Sequence, residues 1–62
     1  MDLLWRIECY LKTSETSPTR FGRAAAHDPR LVFDLRNGRT LRSSTETRIA
    51  AWLDARMAEE AR

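Results

Sequence analysis

The chain has 62 residues, 42% of them hydrophobic and 32% charged, with a formal charge of +2, which implies one small folded domain rather than a disordered segment. A single cysteine, Cys9, and a single histidine, His27, exclude an internal disulfide framework and a Cys/His zinc site. No apolar run reaches the roughly 20 residues of a membrane span, and Met1-Asp2-Leu3-Leu4-Trp5-Arg6 has too early an acid for a signal peptide, so a reducing cytoplasm is the expected location.

The first predicted helix covers about 2–12. Leu4, Ile7 and Leu11 repeat at the spacing of one helix face, and Leu3 and Tyr10 widen the stripe. Asp2 suits the positive N-terminal end of such a helix, and Lys12 the negative C-terminal end. Thr13-Ser14-Glu15-Thr16 reads as a polar connector. Ser17-Pro18 opens a second helix, because serine is a strong N-cap and proline at the first helical position loses no needed donor. Phe21, Ala24 and Ala25 supply its inner face. Gly22 lies mid-helix, at a cost of roughly 1 kcal/mol against alanine. A glycine kept there points to another helix crossing close by, or to a tolerated weak spot.

Asp28-Pro29 repeats the start signal. It leaves His27 and Asp28 as a very short turn and predicts a third helix over 29–37, closed by the left-handed stop Asn37-Gly38. Val32 and Leu35 then face inward, Arg30, Phe33, Asp34 and Arg36 face outward, and Leu31 lies at the boundary. Residues 39–43 form a basic loop. Ser43 and Glu46 have capping-box spacing, and a fourth helix follows from about Ser44 to near the C-terminus. Ile49, Leu53 and Met57 line its inner face, flanked by Ala50 and Trp52. Trp5 and Trp52 are expected to pack helix one against helix four, or else to form a dimer surface. The tail 58–62 is polar and expected to fray. The fold class is therefore all-α, a compact four-helix domain spanning 1–62.

The charge is unevenly placed. Residues 17–48 carry seven arginines against three acids, while 1–16 and 49–62 each carry two cations against three acids. Guanidinium forks suit phosphates and guanine edges, although Lys12 as the only lysine also fits a general arginine bias.

Two short helices joined by a near-minimal turn form a helix-turn-helix unit, here at about 17–38. From Ser17 to Leu53 the chain resembles the lambda-repressor/Cro (Xre) class of DNA-binding domains. Phe21 stands at a buried apolar position of the first motif helix, and Gly22 at a small-residue position where the two helices touch. Val32 and Leu35 match the buried pair of the recognition helix, and Gly38-Arg39 its glycine-then-basic close. Thr45, Ile49 and Leu53 resemble the start and inner face of the next helix. Ala26 replaces the glycine common in the turn, which shifts the unusual backbone angle onto His27. Pro18, Thr19 and Pro29 stand where the family often has glutamine, so its glutamine contacts do not carry over. The usual fifth helix is missing unless helix four is simply long.

The resemblance implies a lambda-repressor-like fold and a sequence-specific regulator of transcription, of bacterial or phage type, that binds double-stranded DNA as a homodimer. Helix 29–37 would enter the major groove, where every base pair shows a distinct edge. Base reading falls to Arg30, Leu31, Phe33 and Asp34. Arg30 would fork onto guanine and Phe33 touch a thymine methyl, unless Phe33 is core. Asp34 would accept from cytosine, or pair with Arg30 one turn away. Phosphate contacts fall to Thr19, Arg20, Arg23, Arg36, Arg39 and Arg42, with Asn37 either joining them or capping its helix. The competing reading is a small helical adaptor for a transcription complex or another regulator. One histidine, no partnered carboxylate pair and no Gly-rich phosphate loop argue against an enzyme. No cofactor, metal, membrane or small-molecule ligand is implied.

Overall fold

The computed structural model describes residues 2–60, with side chains through Glu59. Four α-helices follow in order: α1 (Leu3–Ser14), α2 (Pro18–Ala26), α3 (Leu31–Arg36) and α4 (Ser43–Glu60). No strand occurs among the described residues. The all-α class and the four expected helices are observed, and no helix among the described residues is long and apolar enough to cross a membrane.

Local chemistry sets most of the boundaries. The Asp2 carboxylate caps α1 by accepting from the Leu4 N–H. Ser17 caps α2 by accepting from the Arg20 N–H at 3.2 Å, with Pro18 at the first position. Two helices end on left-handed residues that are not glycine, Glu15 after α1 (φ 55°) and His27 after α2 (φ 52°). His27 thus takes the angle that the absent turn glycine would have carried, at a cost glycine would avoid. Gly38 closes the α3 region at φ 93°, and its N–H donates to the Leu35 carbonyl.

Several expectations are corrected, among them Ala24, which was expected on the inner face of α2 and is exposed. Helix α3 begins at Leu31, not at Pro29, because Asp28 first closes a tight turn. Its Oδ1 accepts from the Arg30 N–H at 3.0 Å and its carbonyl from the Leu31 N–H at 3.1 Å, a side-chain turn typical of aspartate. Ser43 lies inside α4 and does not precede it. The Glu46 N–H donates to the Arg42 carbonyl, which puts Arg42 at the capping position and displaces the expected Ser43–Glu46 box. Trp5 does not pack against Trp52. It sits two residues from buried Ile7, about 200° around the helix, and is 57% exposed.

Each helix gives two residues to the core: Ile7 and Leu11, Phe21 and Ala25, Leu31 and Val32, Ile49 and Leu53. Burying each larger member stabilises the fold by about 1.5–3 kcal/mol. Trp52 meets Phe21 and Tyr10 edge-on, at 5.3 and 5.5 Å between centroids, which joins α4 to α2 and α1. Met57 continues the α4 stripe past Leu53, beyond the core, and is 52% exposed. Ala61 and Arg62 of the expected frayed tail lie outside the described residues.

Candidate nucleic-acid interface

The turn 27–30 brings α3 back against α2. Gly22 is the crossing point: a β-carbon there would overlap the Asp28 carbonyl oxygen and touch the Leu31 side chain. On one face of α3, Leu31 and Val32 are buried and Leu35 is half-buried. The other face carries Phe33, 43% exposed, with Arg30 exposed at its N-terminal end.

The residues expected to read bases separate into distinct environments. Arg30 precedes the first turn of α3 and has no acidic partner among the described residues; its expected partner Asp34 accepts from Arg39 instead, at 3.1 Å. Leu31 lies four residues before Leu35 on the same inward face and is fully buried, so this residue, placed at the boundary from sequence, has no surface with which to touch a base. Phe33 is outward, with the Arg36 guanidinium 5.8 Å from its ring centroid. Asn37 acts as a cap: its Nδ2 donates to the Phe33 carbonyl at 2.9 Å.

The expected phosphate contacts divide in the same way. Arg20, Arg23 and Arg42 are exposed and unpaired among the described residues, and Thr19 is half-buried in the first turn of α2. Arg36 and Arg39 are instead paired with acids. Arg36 forks onto Glu8 of α1 through Nε and Nη2, at 2.8 and 2.7 Å. Arg39 Nη1 reaches both Asp28 and Asp34, at 2.8 and 3.1 Å, tying the loop after α3 to the turn before it. A third pair, Arg6–Asp54 at 2.6 Å, joins α1 to α4. These partners lie too far apart along the chain for helical periodicity to reveal them. Sequence reasoning also passed over Arg48, which is exposed and unpaired on α4.

These bonds shift the carboxylates. The hydrogen bonds from Arg36 hold Glu8 below its ordinary value of 4.5. Asp28 is held below 3.8, chiefly by Arg39 and then by the Arg30 N–H. Reciprocally, Arg36 and Arg39 are held more firmly protonated by their carboxylate acceptors. No cluster of metal-ligating side chains occurs among the described residues. Comparison with family models, curated proteins and solved structures finds no match to this chain.

Proposed function

We propose that the chain binds double-stranded DNA as a sequence-specific regulator of the lambda-repressor/Cro type. In this reading α2, the turn 27–30 and α3 form the helix-turn-helix, and α3 is the helix presented to the major groove. The observation that carries the reading is the placement of Arg30. It is exposed and unpaired at the N-terminal end of a helix whose opposite face is buried against the domain. Arg20, Arg23 and Arg42 supply further unpaired positive charge for backbone phosphates. Phe33 adds an apolar outward contact of the kind a thymine methyl accepts.

Selection of bound sites from random duplexes, followed by affinity measurements at one fixed salt concentration, tests this reading. Arg30→Ala should cost about 1–3 kcal/mol on the selected site and far less on random DNA. Equal losses on both make Arg30 a phosphate contact. No measurable duplex binding by the unaltered chain rejects the reading.

A further inference from the structure

The seams around α1 are closed by opposite charges, Glu8 with Arg36 and Arg6 with Asp54. The seam between α2 and α4 is different. The two helices meet where Phe21 touches Trp52. Beside that contact an open groove remains, lined by Ala24 and His27 from the α2 side and by Arg48, Ala51 and Trp52 from α4. It continues past Ala24 and Trp52 toward Ser14, Thr16, Arg20 and Arg56. Ala24, Ala51 and Trp52 supply its apolar part, because neither alanine has a side chain long enough to close the seam.

Three arginines, Arg20, Arg48 and Arg56, border the groove. Arg20 and Arg48 have no acidic partner among the described residues. Arg56 lies over the Trp52 ring at 4.9 Å and reaches Glu59 at 3.8 Å. Glu15 is the one acid in the lining. Like charges along a seam contribute no attraction to the fold, and they complement an anionic partner. A sugar-phosphate backbone would match the arginines but leave the apolar part unused. An amphipathic helix matches both, since it presents apolar side chains along one stripe and charges beside it.

We propose that the groove between α2 and α4 docks an acidic amphipathic helix of a protein partner, with apolar residues on Ala24, Ala51 and Trp52 and carboxylates at Arg20 and Arg48. The surface is separate from α3 and shares only Arg20 with the proposed DNA contacts.

A Trp5→Phe chain leaves Trp52 as the only indole and so as the reporter. It would be titrated with two synthetic amphipathic peptides of about 15 residues, identical on the apolar face and carrying either Glu or Lys on the polar face. The Glu peptide should give a saturable change in Trp52 emission. Arg48→Glu should weaken that binding about tenfold by replacing attraction with repulsion, and Ala51→Phe should block it by filling the apolar part. Both positions are exposed, and circular dichroism of each variant checks that the helices persist. Equal binding of the two peptides, binding that survives both substitutions, or no saturable response overturns the proposal. So does a short DNA duplex that produces the Trp52 change and binds more weakly to the uncharged Ala51→Phe variant, because the groove then belongs to DNA. Failure of DNA binding leaves the peptide result intact, so the two readings fail separately.

Discussion

The carbonyl of Asp28 lies against the α-carbon of Gly22, and the Asp28 N–H donates to the Gly22 carbonyl at 3.0 Å. The obstacle to a β-carbon at position 22 is a backbone atom, which cannot rotate away. Gly22→Ala should therefore destabilise by about 1–3 kcal/mol through overpacking, despite a gain of roughly 1 kcal/mol in helix propensity. Urea unfolding measures the balance. A more stable alanine variant would show that the crossing relaxes freely.

Acid should weaken the domain through Glu8 and Asp28. Both are held below their ordinary values by N–H donors. Each therefore contributes stability that is complete above its unfolded value and is lost as pH falls through the lower folded value. The loss should begin near 4.5 for Glu8 and near 3.8 for Asp28. The side chains of Glu8 and Asp28 are 39% and 32% exposed, so screening holds each effect to under about 1 kcal/mol. Thermal melts across this range should show Glu8→Gln with a flatter acid limb. An unchanged limb would remove the Glu8–Arg36 pair from the acid response.

Arg39 and Arg42 should behave differently although both lie in the basic loop. Arg42→Ala should weaken binding alike on all duplexes and lower the salt slope by about one. Arg39 is occupied by Asp28 and Asp34. Arg39→Ala should leave the slope nearly unchanged and lower the melting temperature. If the slope falls equally for both variants, Arg39 abandons its carboxylates when DNA arrives.

Two copies are expected on each selected site. A helix of six residues spans few base pairs, and one domain of this size offers little further contact area. Analytical ultracentrifugation with the shortest tight-binding duplex should give two chains per duplex. A single chain per duplex rejects the paired arrangement.

The parts of the fold legible in the sequence were those set within a few residues. Ser17-Pro18 and Gly38 act as their chemistry predicts, and the left-handed angle at His27 follows from the missing glycine. The start of α3 was misread because Asp28-Pro29 is equally a helix start and a side-chain turn. Only the bonds from Arg30 and Leu31 to Asp28 decide between them. Leu31 shares the inward face of Leu35, four residues on, and the boundary assignment overlooked that spacing. At the candidate site, exposure of Phe33 could be read from the inward spacing of Val32 and Leu35. The occupancy of Arg36 and Arg39 could not, because net charge does not reveal which cations are already paired.

At six residues, α3 is too short to persist alone. Its helical form is imposed by neighbours through Leu31, Val32 and the fork from Arg36 to Glu8. Arg30 and Phe33 take little part in that hold. The helix thus divides its positions between anchorage and display. Substitutions at Arg30 and Phe33 can change the outward surface while the anchors keep the backbone in place, so the chemistry of that face can vary without loss of the fold.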